Sequence, residues 1–344
     1  MSCILRIFLL LVPIALTLTS CLDPYPLSIG QETEKLIVES QLTDDKTTPF
    51  VRLSFTTQFG SIQSGATPVR GAYVEVKDSD GNVVVYRGLP NVPGFYEPAD
   101  KNFRGTSGKS YTLTIKLTNG ATYTSTAEPM PKSVAVTNIY SEFKQPSGDG
   151  KFLDTGYQIY IDIKDTKGVE NYYRWTAWGI HKRKSTGVPV GFGGGICCDQ
   201  CWSRLDNTAI QILADAGVDG GLLLKRPVYF SPFYYFGKHY VEVKQYNFSR
   251  GAFLFWKRYQ EQTSRTGTIF DPLPAPISGN VVNIAGAKDI ALGYFEVASV
   301  STKRIEIPDE LFGKVRVDVA FLPKGDCTLA FPFSVYDSYP PPGW

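Results

Sequence analysis

The feature that most limits what this chain can fold into is a two-residue hydrophobic period that recurs along much of its length. Successive side chains of a strand point to opposite faces, so alternation of apolar and polar residues marks a strand with one buried face. Residues 71–77 place Ala72, Val74 and Val76 on one face and Tyr73, Glu75 and Lys77 on the other. Asp80-Gly81 supplies a hairpin turn, and residues 83–86 return. Asn119-Gly120, a strong hairpin signal, joins residues 111–117 to residues 121–126. Residues 36–40 and 50–55 add two further strands, and Pro129, Met130 and Pro131 end the unit. Short strands with regular turns predict an immunoglobulin-like β-sandwich over 35–131.

The rest, 132–344, repeats the pattern on a larger scale. Tyr157, Ile159, Ile161 and Ile163 alternate with Gln158, Tyr160 and Asp162. Residues 172–180 read as an aromatic-rich strand. Residues 239–246 set Val241 and Val243 against Tyr240, Glu242 and Lys244, and residues 292–300 and 315–321 are further strands. The period changes at 252–262, where Phe253, Trp256 and Tyr259 recur every third residue and Ser249 stands at the N-cap position of a helix. The expectation is an all-β chain: an immunoglobulin-like sandwich, then a larger β-sandwich or barrel-like domain with one short helix. Its 20 Tyr, 21 Phe, 32 Gly and 23 Pro suit strands joined by turns.

The N-terminus carries an address. Arg6 precedes an apolar run, residues 7–18, too short for a bilayer-spanning helix but right for a signal-peptide core. Leu18-Thr19-Ser20-Cys21 follows, a lipobox whose thiol accepts a diacylglycerol. We therefore expect residues 1–20 to be a lipoprotein signal peptide, Cys21 to be the lipidated N-terminus, and 21–34 to be a tether. Acyl chains anchor to a membrane without spanning it. With 35 Lys+Arg against 33 Asp+Glu, and no basic stripe, nucleic acid is not an expected partner.

Four cysteines remain in the folded part: Cys197, Cys198, Cys201 and Cys327. An exported protein favours disulfides over zinc, although Cys198 and Cys201 have C-x-x-C spacing. Three connectivities are open. We expect one of the cluster to pair with Cys327, and adjacent Cys197 and Cys198 not to bond each other, because that geometry is unfavourable.

Enzyme motifs are missing. The two histidines, His181 and His239, form no H-E-x-x-H, and there is no G-x-S-x-G elbow, P-loop or dinucleotide fingerprint. We expect no catalytic residues, metal or cofactor. The enzymatic alternative is a hydrolase using Cys201 and His181, which flank one loop. Asp44 and Asp45 read as a solvated polar turn rather than paired acids. Asp78-Ser79-Asp80-Gly81-Asn82 opens like a calcium loop, but Leu89 stands where the glutamate belongs, so a hairpin is the better reading. The best contact candidates are Tyr229, Phe230, Phe233, Tyr234, Tyr235 and Phe236, kept irregular by Pro227 and Pro232. The competing reading places these aromatics in the core, and it is the favoured one.

Motifs in fixed order resemble a family. They are the lipobox with Asp23-Pro24; Pro68-Val69-Arg70-Gly71-Ala72; Phe103-Arg104-Gly105; Gly108-Lys109-Ser110-Tyr111-Thr112-Leu113; Tyr172-Tyr173-Arg174; Cys197-Cys198 with Cys201-Trp202; Phe255-Trp256-Lys257; Phe270-Asp271-Pro272-Leu273-Pro274; Gly279-Asn280; Leu292-Gly293-Tyr294-Phe295; Cys327; and Trp344. The chain resembles the Bacteroidetes lipoproteins grouped as domain-of-unknown-function family 4249. The resemblance implies an outer-membrane lipoprotein, membrane face open, acting as an accessory of a TonB-dependent receptor in capture or uptake of a small-molecule, glycan or peptide ligand. An envelope spacer or adhesin-like protein is the alternative. The segment 331–336 departs from the Gly-rich tail of that family, and no catalytic residues carry over.

Overall fold

The computed structural model describes residues 34–57, 65–145, 155–191, 195–217, 219–264, 277–309 and 322–336. Cys21 with the expected signal peptide and tether, the motif at 270–274, the expected strand at 315–321 and Trp344 lie outside the described residues.

The chain is all-β. The first strands are β1 (Leu36–Thr43), β2 (Phe50–Phe55), β3 (Thr67–Pro68), β4 (Tyr73–Asp78) and β5 (Val83–Gly88). Next come β6 (Phe95–Pro98), β7 (Ser110–Lys116), β8 (Thr122–Ser125) and β9 (Glu128–Pro129). Both predicted hairpins form, at β4–β5 and β7–β8. Val74 and Val76 are buried while Tyr73 is exposed, as alternation requires. The Asp78 carboxylate tightens the first hairpin by accepting from the amides of Asp80 and Asn82 and from Lys109 Nζ.

The second half holds β10 (Val136–Lys144), β11 (Gly156–Lys164), β12 (Tyr172–Lys184), β13 (Val188–Val190), β14 (Gly195–Cys197) and β15 (Gln200–Asp206). It continues with β16 (Gln211–Ala214), β17 (Leu222–Pro232), β18 (His239–Phe248), helix α1 (Arg250–Thr263), β19 (Ser278–Asn283), β20 (Gly286–Ile307) and the single helical turn α2 (Cys327–Ala330). Ser249 caps α1, its hydroxyl accepting from the Ala252 amide at 3.1 Å.

Nine strands close a barrel in the order β1-β2-β6-β5-β4-β7-β8-β19-β20 and back to β1. A ring with an odd number of strands cannot be antiparallel throughout, and the β1–β20 pair is the parallel one. The strands read as a sandwich over 35–131 are thus present, but two strands from far along the chain complete their ring. Closure leaves no exposed edge in the ring. Val281 of β19 and Phe295 and Val297 of β20 pack in one core with Leu36, Val38, Leu53, Leu113 and Ile115. Gly293 makes the seam possible: it sits at φ 86°, and a Cβ there would lie 2.1 Å from the Val38 carbonyl oxygen.

β20 then leaves the barrel. Its second half pairs with β18, which pairs with β12, flanked by β15 and β16. This sheet faces a second sheet, β10-β11-β17, across a core that includes Ile159, Ile161, Trp175, Val228, Val241 and Val243. Pro227 lies in edge strand β17, where a missing N–H is tolerated. The register slips beside it, between the Ile159–Tyr229 and Tyr160–Pro227 pairs. Tyr229 and Phe230, read as part of an irregular segment, therefore belong to a strand.

A buried clamp joins barrel, sandwich and α1. Arg174 of β12 donates to Glu296 of β20 at 2.6 Å and lies between the rings of Tyr246 and Trp256, at 4.4 and 4.5 Å. Glu296 also accepts from Trp256 and from Gln41 of β1. Asp44 and Asp45 depart from the solvated turn expected of them. Asp44 accepts from the Val300 amide, and Asp45 binds Lys244 at 2.7 Å, because the fold brings β18 and β20 over that turn.

Candidate functional site

β12, β15, β17, β18 and β20 come together at the end of the sandwich away from the barrel seam. β20 runs from its pairing with β1 at Leu292 to its pairing with His239 at Ile307, and β12 runs alongside β18 toward the same end. Three segments gather there: the cysteine loop after β12, the aromatic loop between β17 and β18, and the C-terminal segment 322–336.

Arg183 and Lys184, the last residues of β12, hold the three together. The Arg183 guanidinium stacks 3.2 Å over the Tyr234 ring and 5.0 Å from that of Phe331, and its Nε donates to Ser203. Lys184 donates to the Tyr235 hydroxyl at 2.9 Å and approaches Asp199 at 3.7 Å. Backbone bonds stitch the C-terminal segment down. Trp202 and Val335 exchange amide–carbonyl bonds, Thr186 donates to the Pro323 carbonyl, and the Cys327 amide donates to the Cys198 carbonyl at 2.8 Å.

Cys201 and Cys327 are disulfide-bonded, as expected of one member of the cluster. Cys197 and Cys198 are bonded to each other, which overturns the opposite expectation. The reason is conformational. Cys198 adopts a left-handed backbone, φ 65°, that an ordinary strand would not, and the sulfur of Cys201 is already committed to Cys327. β13 and β14 pair within this loop as a short hairpin.

Of the six aromatic candidates, Tyr229 and Phe233 are buried. Phe230, Tyr234, Tyr235 and Phe236 are half-buried, so the run serves chiefly as packing between the sheets and the tip. Other large side chains of these segments are exposed: Phe333 at 101%, Leu329 at 82%, and also Ile196, Val335 and Tyr336. Sequence reasoning missed these. Apolar residues in 327–336 read simply as tail.

The two histidines meet in the core beneath this end. Parity places His181 with Trp175 and Ala177 on the inner face of β12, and His239 with Val241 and Val243 on the inner face of β18. Their Nδ1 atoms are 3.4 Å apart, and Ser231 Oγ of β17 lies 2.7 Å from that of His239 and 3.4 Å from that of His181. His181 Nε2 lies 3.0 Å from the Tyr229 hydroxyl, which donates to the Leu205 carbonyl. One set of tautomers satisfies this chain. His239 Nδ1–H donates to Ser231, the Ser231 hydroxyl donates to His181 Nδ1, and His181 Nε2–H donates to Tyr229. Gly179 leaves room for it, since a Cβ there would lie 2.8 Å from the Tyr229 oxygen. Burial pushes both histidines down, His181 well below its usual range and His239 to about 4. Both are neutral bonds between sheets.

The Cys201–His181 pairing considered from sequence does not form: Cys201 holds no free thiol, and His181 is bonded within the core. Among the described residues no three His, Cys, Asp or Glu side chains converge as a metal site. What this end offers is a cross-linked base carrying exposed apolar side chains, an arrangement suited to contact with a partner or an apolar ligand. No curated protein was found to match the chain. The family described as a domain of unknown function, DUF4249, matches residues 22–304, so this chain belongs to the DUF4249 family.

Proposed function

We propose that this protein is a non-catalytic outer-membrane lipoprotein, anchored through Cys21 and acting as an accessory of a TonB-dependent receptor in ligand capture or uptake. The observation that carries the proposal is the exposed apolar set Ile196, Leu329, Phe333, Val335 and Tyr336 on a base fastened by two disulfides. Rigid apolar anchors lose little entropy on binding. That end is also the far end of β20 from the place where β1 begins. β1 enters the barrel beside Leu292, and the strand from there to Ile307 covers about 50 Å at about 3.3 Å per residue. The membrane would then hold one end while the other reaches a partner. The receptor class is named because of the family resemblance.

Affinity purification of the tagged, acylated protein from solubilised membranes, with mass spectrometry, tests this. The expected result is a stoichiometric β-barrel receptor that is lost on Leu329→Glu with Phe333→Glu, while thermal unfolding stays unchanged. A protein that always purifies alone overturns the receptor role and favours an envelope spacer or adhesin-like role.

A further inference from the structure

The two disulfides are unequal in a way their functions should reflect. Cys201 and Cys327 are 1% and 0% exposed, and their bond spans a sequence separation of 126. It closes a long loop and is shielded from solution. Cys197 and Cys198 are half-buried, and their bond has a separation of 1. A cross-link between neighbours closes almost no chain, so the entropic stabilisation that disulfides supply to a fold is nearly absent here. Its effect is local. The ring it forms holds Cys198 in the left-handed region, where side chains with a Cβ are disfavoured. There the Cys198 carbonyl accepts the amide of Cys327, at the start of the segment that carries Leu329 and Phe333.

We propose that Cys197–Cys198 is a reversible redox site that sets how firmly the apolar end is held, with a dithiol reductant as its reaction partner. A thiolate of the dithiol attacks one sulfur of the accessible pair, forming a mixed disulfide and breaking the Cys197–Cys198 bond. The leaving thiolate takes a proton. The second thiol of the reductant then displaces the protein sulfur, which is protonated in turn. Two electrons and two protons pass to the protein, and the dithiol leaves as its disulfide. Cys201–Cys327 stays closed, because attack needs access to sulfur. With the small ring open, Cys198 relaxes out of the left-handed region and its carbonyl leaves Cys327. The C-terminal segment loosens while the sandwich stays folded.

The test uses the full chain titrated with dithiothreitol at neutral pH. Differential alkylation with mass spectrometry reads each cysteine, and hydrogen exchange reads the backbone. Cys197 and Cys198 are expected to alkylate first, and Cys201 and Cys327 only once denaturant is added. Exchange in 327–336 should quicken by about tenfold or more while peptides from β1 and β2 are unchanged. Cys197→Ser with Cys198→Ser should show the faster exchange without reductant. Opening of both disulfides at one reductant concentration overturns the proposal. So does selective opening, or the double serine variant, with exchange in 327–336 unaltered. The receptor role does not enter these measurements and fails separately, by co-purification.

Discussion

Acidification should unfasten the sandwich at its histidine pair. His239 titrates at about 4 in the folded protein, because burial disfavours the imidazolium, against about 6.5 for an unfolded histidine. Burial lowers His181 as well, with further contributions from His239 and from Arg183 of β12. Tyr229 of β17 stays neutral, its hydroxyl pushed up by burial, and Ser231 and the Tyr157 ring of β11 bring no charge. Between about pH 6.5 and about pH 4 the unfolded chain binds more protons than the folded one. This stability is therefore complete above the window and is lost as pH falls through it. For His239 alone the loss comes to about 2 kcal/mol at pH 5 and about 3 kcal/mol at pH 4. Urea unfolding at pH 8 and pH 5, for the native chain and for His239→Gln, reads this contribution together with the part of the His181 shift that His239 causes. The native chain should lose at least about 2 kcal/mol more than the variant over that interval. Equal losses would mean that His239 is not held neutral in the core, and the hydrogen-bond chain assigned to it would be wrong.

The clamp between barrel and sandwich should be costly to break from one side. Arg174→Ala leaves Glu296 buried without its ion partner and is expected to destabilise by about 3 kcal/mol or more, measured by urea unfolding. Breaking the exposed pair of Arg52 and Glu39 should cost under about 1 kcal/mol in the same assay. Gly293→Ala should destabilise by more than about 2 kcal/mol and speed hydrogen exchange in β1 in particular, because its Cβ meets the Val38 carbonyl at the barrel seam. Cys201→Ser with Cys327→Ser removes a long-loop cross-link worth about 5 kcal/mol in the chain-entropy account, whereas Cys197→Ser with Cys198→Ser should shift the urea midpoint little.

Much of the site could be read in advance only in pieces. The cysteine cluster and Cys327 were visible as residues, and an exported chain favours disulfides among them, but the connectivity stayed open until the fold brought Cys201 to Cys327. The vicinal bond was not legible either, because it depends on a left-handed backbone at Cys198 that no spacing reveals. The aromatic run was conspicuous, but its exposure depends on Arg183 and Lys184 drawing Tyr234 and Tyr235 down. His239 shares parity with Val241 and Val243, so its inward face was legible; its meeting with His181 was not.

Local chemistry is what the sequence determined by itself. Alternation set which face of β4 and β7 is buried, though not of β18, which is buried on both faces; Asp-Gly and Asn-Gly placed the hairpins, and Ser249 began α1. These depend on neighbours within a few residues, where backbone geometry and solvent suffice. The tertiary structure alone decided the partners at long range. β20 closes the barrel against β1 and then turns into the sandwich, and the cysteine loop, aromatic loop and C-terminal segment meet at one end. Such pairings compete with many alternatives of similar local quality. They are resolved only when the apolar faces of distant strands are buried together, with Val281, Phe295 and Val297 filling a core that the first strands leave incomplete.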